Sequence, residues 1–459
     1  MITVLTKHRL ITALSIVTLV STMMSGQQTA LDQYIREALK KSPVLYQNSL
    51  NLDKAKIGED IARSYYLPTV GFQLGYQTAA GGRSIDLPVG DMLNGVYSTL
   101  NQLTGTSAFP TIHNQQINFL PVNFYDAKIR ANIPVYNPEI KHNIALAGSQ
   151  VTGSEIEIRL RRRELVRQVK EAYFNYLLTL QATKIYREAL SLASEGRRVN
   201  ERLLKNGKGL PAYVLRSDAE IEQIRAEIYQ SEVQARNAAS WFNFLVDRPA
   251  DADIDTLFDE SEALLRCNQL ILMQQNTSVR EEVKSLMNAS AVYSNMISLQ
   301  KSARLPRLNG ILDLGSQSEN WRFNGQSRYF LLGLQLDVPI FSAYRIKNKV
   351  AQARLDLMQN ESRVAYVRDQ IDLSAATSVN NLKSALESLE AKQKQLEAAS
   401  TYRRLIDKGY AEGVSTFIET IDARNQWTQA QLSCKIQLYK ALQAGVAVER
   451  ELALFNIDQ

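Results

Sequence analysis

With 459 residues the chain has room for about two or three ordinary domains, and 45% apolar content is enough to build their cores and excludes a disordered chain. A formal charge of +6 over this length argues against a nucleic-acid binder, and the one dense basic run, Arg159 to Arg163, reads as a solvated helix face. His8, His113 and His142 with the isolated Cys267 and Cys434 make no familiar zinc site, and there is no phosphate loop, GxSxG elbow or CxxC, so no metal, cofactor or enzyme is expected.

The N-terminus opens with Lys7, His8 and Arg9, continues as an apolar run from Leu10 to Val20, and reaches small residues at Ser25 and Gly26. That is the plan of a secretory signal peptide over residues 1–26, and the apolar run is shorter than the roughly 20 residues of a spanning anchor. No cysteine stands near that cleavage site to carry a lipid, so no lipid anchor is expected. Since no later stretch is apolar and long enough for a transmembrane helix, any membrane insertion must be made by strands.

From Leu31 to Tyr66 the pattern is helical, with Leu31, Ile35 and Ala38 on one face, and Pro68 ends it. The period then becomes two. Val70, Phe72, Leu74 and Tyr76 alternate with Thr69, Gly71, Gln73 and Gly75, predicting a strand over about 67–77. A long loop, 78–121, carries one short helix near Asp91 to Leu103, and a second strand covers 124–136. Proline-free helix follows from Glu139 to Asn206, reverses at KNGKGLP, and returns from Ala212 to about Val246.

The same order then recurs. Strands are predicted at about 306–315 and 329–340, then helix from Ser342 to Lys408, a turn at DKGYAEG, and a returning arm from Val414 to about Leu454. Residues 27–250 and 251–459 thus read as two tandem structural repeats. Val379, Leu382, Leu386, Leu389 and Leu396 keep a heptad spacing with Gln393 in the missing place, which marks a coiled-coil seam. Val166, Val169, Tyr173, Tyr176 and Leu180 form a looser stripe in the first half. At about 1.5 Å per residue each unbroken helix would be roughly 100 Å long, beyond what a compact domain holds.

All four strands have a length that suits a tilted bilayer crossing, although a soluble sandwich would also alternate. A membrane barrel must close, and about eight strands is the usual minimum, so four strands would need other copies of the chain. Several short motifs recur in order: SPVL at Ser42 to Leu45 is echoed by REEV at Arg280 to Val283, Leu-Pro starts the strands at Leu67 and Leu305, IPVY and VPIF end them, and glycines mark both hairpin tips.

In these motifs and their order the chain resembles the TolC-type outer-membrane efflux family, from Leu31 to about Leu454. The resemblance implies a fold that is mainly α with a membrane β part: a homotrimer with a 12-stranded β-barrel and an α-helical periplasmic tunnel. It implies an exit duct of a tripartite efflux or type I secretion system in the outer membrane of a Gram-negative bacterium, with a large periplasmic part. The partners would be a periplasmic adaptor (membrane fusion) protein, an inner-membrane transporter and outer-membrane lipid. The alternative is a periplasmic coiled-coil scaffold or adaptor without a pore.

By the same resemblance Tyr410, Glu419 and Asp422 would form the periplasmic gate, with Gly413 in the tip pattern, and the two acids three apart would share a helix face. Lys205, Gly207 and Gly209 on one tip and Lys408, Gly409 and Gly413 on the other would dock the adaptor. Asp218 matches Asp422, Leu215 stands where some members carry an acid, and Ser415 stands where family members often carry an arginine that ties the closed gate. Tyr65, Tyr66, Tyr76, Tyr136, Trp321, Tyr329 and Phe330 are candidates for an interfacial aromatic girdle. The two cysteines read as buried small residues, and the transported cargo is not written in the chain.

Overall fold

A computed structural model describes residues 30–120, 122–273, 277–455 and 457; the expected signal peptide, 1–26, lies outside them. The described residues form two compact units, each drawn from both halves of the chain. One comprises the residues up to Ala55, Ser149–Ala291 and the chain from Leu357; the other comprises Lys56–Gly148 and Val292–Asp356.

Helices α1 (Ala30–Lys41) and α2 (Pro43–Ser64) replace the single helix expected there. Pro43 cannot donate a backbone hydrogen bond, so the helix is broken at Ser42 and restarts with proline in its first turn. Ser42 is buried and its Oγ accepts from Leu45 N at 3.4 Å. The SPVL motif is therefore a cap followed by a buried leucine, Leu45.

In the second unit, β1 (Thr69–Gln77) leads to β2 (Ser84–Leu87), α3 (Val89–Thr104), β3 (Gln115–Asn118) and β4 (Phe124–Tyr136). The expected loop thus holds its one helix and also a two-stranded ladder, β2 against β3. Strands β5 (Arg307–Glu319) and β6 (Arg328–Asp337) complete a four-stranded antiparallel sheet in the order β1-β4-β5-β6. β5 runs further than its apolar alternation predicts, because Ser316 to Glu319 still find backbone partners in Ala127 to Phe124. β6 stops at Asp337, short of the expected 340, since Pro339 can give no ladder bond.

The register puts like beside like. Phe72, Ile129, Leu314 and Phe330 form one row across the four strands, and Val70, Ala131, Leu312 and Leu332 form another. Strand side chains alternate between faces, so the next rows belong to the opposite face. These hold Gly71, Arg130, Asp313 and Leu331, then Gln73, Lys128, Gly315 and Tyr329. Tyr329 thus leaves the expected girdle for the polar face, where its hydroxyl donates to Asp126 Oδ1 at 2.7 Å. Trp321 stacks on Tyr76 and Tyr125 at 5.4 and 5.3 Å, giving an aromatic cluster at one end of the sheet.

The first unit is helical. The long segments of α4 (Pro138–Lys205) and α8 (Arg345–Ala411) that lie within it pack with α5 (Pro211–Val246), α6 (Glu260–Leu272), the start of α7 (Glu281–Ser302) and α9 (Phe417–Glu451). The predicted stripes are the buried faces: Val379, Leu382 and Leu389 are in the core with Val166, Val169 and Tyr173, while Gln393 is exposed. Tyr173 is fully buried because its hydroxyl has a partner, the Asp255 carbonyl at 3.0 Å. Cys267 is buried, Cys434 half-buried, and both are free thiols.

The basic run is a solvated face only in part: Arg159 and Arg161 are exposed, but Arg162 and Arg163 turn inward. Arg163 is buried against Glu281 of the REEV motif, with both nitrogen-to-oxygen distances at 2.8 Å. Arg162 donates to the Ile457 carbonyl at 3.1 Å, and Lys170 lies over the Phe455 ring, so these cations pin the end of the chain into the core. A buried arginine is tolerable only when its charge and donors are met, and Glu281 meets them.

Candidate functional site: the two helical hairpin tips

Both tips are closed by the same device. At the first, Gly207 N donates to the Leu204 carbonyl at 3.0 Å and Lys208 N to the Leu203 carbonyl at 2.8 Å. At the second, Gly413 N donates to the Tyr410 carbonyl at 3.1 Å and Val414 N to the Gly409 carbonyl at 2.8 Å. These are Schellman caps, which need a left-handed residue, and Gly207 and Gly413 supply it with φ of 70° and 80°. The structural counterpart of Gly413 is therefore Gly207. In that register Asp218 corresponds to Arg424, which corrects its expected match to Asp422.

The other two glycines make room. A Cβ on Gly209 would sit 2.8 Å from Leu204 N, and one on Gly409 would sit 2.5 Å from Ser415 Oγ. Ser415, where an arginine was expected by resemblance, thus packs on Gly409 and donates its N–H to the same residue's carbonyl at 3.1 Å. Lys205 and Lys408 are exposed at the tips.

Tyr410 sits on the last turn of α8 but reaches out of its own hairpin. Its hydroxyl donates to Asn200 Oδ1 on α4 at 2.9 Å, and Asn200 Nδ2 donates to Ser217 Oγ on α5 at 3.1 Å. Asn200 and Ser217 are 2% and 1% exposed, so this chain of bonds is shielded from water. Burial pushes the Tyr410 phenol above its ordinary pKa, keeping it a neutral donor.

Glu419 and Asp422 both lie exposed on α9, three residues apart on one face. Glu419 also secures the start of its own helix. Its carboxylate accepts from Thr416 N at 2.6 Å, while Glu419 N donates to Thr416 Oγ1 at 3.3 Å, a complete capping box. Those bonds from the Thr416 backbone and hydroxyl hold its carboxyl below the usual range. Asp422 accepts from Gln426 Nε2 at 2.7 Å.

A second tie crosses between the hairpins. Arg424 of α9 lies 3.8 Å from Asp407 of α8 and donates to the Leu192 carbonyl of α4 at 3.4 Å. Gly196 makes space for it, since an added Cβ there would collide with the guanidinium. Sequence reasoning missed Asn200, Ser217, Gly196 and Arg424, because each lies a turn or more away from the glycine-marked tips.

The chain thus combines a four-stranded sheet, apolar on one face and largely polar on the other, with two long helical hairpins closed by matched caps. The chain belongs to the outer membrane efflux protein family, whose sequence model matches residues 34–240 and 272–452. It is 22% identical over 439 residues to a probable efflux pump outer membrane protein, TtgC, of Pseudomonas putida, covering 91% of this chain and 83% of that one. It is 20% identical over 463 residues to the outer membrane protein TolC of Escherichia coli, covering 94% and 83%. Its fold matches the crystal structure of a membrane protein from Pseudomonas aeruginosa with a TM-score of 0.74 at 16% identity, over 93% of each chain. The chain is accordingly an outer-membrane efflux channel, an exit duct.

Proposed function

We propose that three copies of this chain join their sheets into one 12-stranded barrel in the outer membrane and their hairpins into an α-helical periplasmic tunnel, each copy contributing two tandem repeats. The observation that carries it is the sheet itself. It has one apolar face, and β1 and β6 have no partner on their outer edges among the described residues. Open edges are not tolerated in hydrocarbon, four strands are too few to close, and pairing β1 of one copy with β6 of the next removes every edge. Exposed apolar stripes on α2 (Tyr46, Leu50, Ile57, Ile61) and α8 (Leu355, Met358, Tyr366, Leu373) support packing between copies.

In this assembly Tyr410, Glu419 and Asp422 gate the periplasmic mouth. Tyr410 and Arg424 act as latches to α4, with Arg424 taking the place of the arginine absent at Ser415. Three copies of Glu419 and Asp422 would make a ring of six carboxylates that draws cations into the constriction. Lys205, Gly207, Gly209, Lys408, Gly409 and Gly413 form the surface that meets a periplasmic adaptor, which couples the duct to an inner-membrane transporter in a Gram-negative cell. The chain's part is passage, with no catalysis.

The test is the protein mass of the particle extracted from outer membranes in detergent, by light scattering with the detergent contribution subtracted. Three chain masses are expected. A stable monomer that needs no detergent would refute the shared barrel.

A further inference from the structure

In the middle of the sheet, Asp126, Lys128 and Arg130 of β4 and Asp313 of β5 share one face and are paired there, while the other charged strand residues, Arg307, Glu319, Arg328 and Asp337, stand at the strand ends. Arg130 Nε and Nη2 donate to Asp313 Oδ1 and Oδ2 at 2.7 and 2.6 Å, joining β4 to β5. One step along β4, Lys128 Nζ donates to Asp126 Oδ2 at 2.5 Å, and the Tyr329 hydroxyl from β6 completes that carboxylate. Two acids meet two bases, so the set is neutral. Glycines keep it uncrowded: nothing lies within 4 Å of a Cβ built on Gly71, and one built on Gly315 would come within 2.9 Å of Lys128 Cβ and Tyr329 Cε1.

We infer that Arg130–Asp313 and Lys128–Asp126 form a charge-compensated belt on the pore wall of the barrel, and that this pairing keeps the outer half of the duct indifferent to the sign of what passes. The inference rests on the trimeric barrel. Barrel strands alternate apolar-out and polar-in, so the face opposite Phe72, Ile129, Leu314 and Phe330 is the pore face. Charges bonded at these distances present a dipole to the pore, whose field dies away much faster than that of a lone charge. Three belts then leave no net charge, and discrimination passes to the tips. The competing role for the pairs is a purely structural tie between strands, which would affect stability and leave permeation alone.

The experiment is the reversal potential of the full-length protein in planar bilayers under a salt gradient. Asp313→Asn leaves three unpaired Arg130 guanidinium groups. Placed about 10 Å from the pore axis in roughly 0.1 M salt, these should lower the cation-to-anion permeability ratio about fourfold. Arg130→Gln should shift it the other way, and the double variant should return to wild type. Single variants that conduct with the wild-type reversal potential would overturn the inference.

Asp313 is nearly buried, so Asp313→Asn could fail to assemble; Gln73→Cys supplies an independent reading from an exposed position on the same face. A cationic, membrane-impermeant thiol reagent should reduce the current through Gln73→Cys and leave Phe72→Cys unchanged. No effect on Gln73→Cys would again overturn it. A wild-type protein that never conducts would overturn the barrel itself.

Discussion

Replacing Tyr410 with phenylalanine removes one hydroxyl and leaves the ring, which packs 6.2 Å from Phe417, in place. The lost bond is the 2.9 Å contact to Asn200 Oδ1, and Asn200 is 2% exposed, so its oxygen would be left without a partner in a site water hardly reaches. Stranding a buried acceptor costs about 1–3 kcal/mol. In the proposed gate the bond holds the closed form, so the cost falls there if opening exposes Asn200 to water. At about 1 kcal/mol per copy, three latches that release together shift the closed-to-open equilibrium by roughly a hundredfold. Open probability of single channels in planar bilayers is the assay, with Tyr410→Phe compared with wild type. In Asn200→Ala the Tyr410 hydroxyl has already lost this partner, so adding Tyr410→Phe to that variant should change the open probability little further. An open probability for Tyr410→Phe equal to that of wild type would refute the latch.

Two further outcomes are expected. Glu419→Gln with Asp422→Asn should lower cation selectivity and weaken block by multivalent cations; glutamine preserves the capping box with Thr416, so a change comes from charge and not from fraying of α9, and an unchanged reversal potential in a salt gradient would sink the acidic ring. Glu282 is the second: burial opposes its ionisation, but hydrogen bonds from Arg280 and Arg450 at 2.8 and 2.6 Å outweigh it and hold the carboxyl down at about 2. A depressed carboxylate stabilises the fold above its unfolded pKa of 4.5 and loses that contribution as pH falls through about 2, which amounts to about 3 kcal/mol. The gap in unfolding temperature between wild type and Glu282→Gln should therefore be full above pH 5 and close as pH approaches 2, and a gap that does not depend on pH would contradict the assignment.

Periodicity made the large elements legible. Val70 to Tyr76 alternate cleanly and Phe330 to Leu336 do so with Leu331 as the exception, and the α8 stripe announced its buried side down to the exposed Gln393. What periodicity cannot register is structure held by backbone pairing alone. Strand β3 and the polar end of β5, Ser316 to Glu319, carry no apolar rhythm, and the alternation of β2 covers only four residues. The tip was half readable. Glycines flagged the turns, but which glycine takes the left-handed position depends on where each helix runs out of carbonyl partners, and at the first tip that is Gly207 and not Gly209. Asn200 and Ser217 look like ordinary polar helix residues until the fold brings Tyr410 to them. Arg163 misled for a related reason, since its partner Glu281 lies 118 residues away.

The central pair of the sheet, β4 against β5, joins segments far apart in the chain, with Arg130 opposite Asp313 183 residues later. A polypeptide that arrives N-terminus first presents the β1–β4 hairpin long before β5 exists. For that interval the inner edge of β4 is as exposed as the outer edge of β1, and neither can be shielded by the hydrophobic collapse of a neighbour still to come. Contacts of such long sequence separation form slowly, and unpaired edges in the meantime invite association with the wrong strands. In the proposed trimer this constrains the order of biogenesis: the chain is expected to stay unfolded, or held by something else, until its second half has been delivered and β1 and β6 can be offered to neighbouring copies.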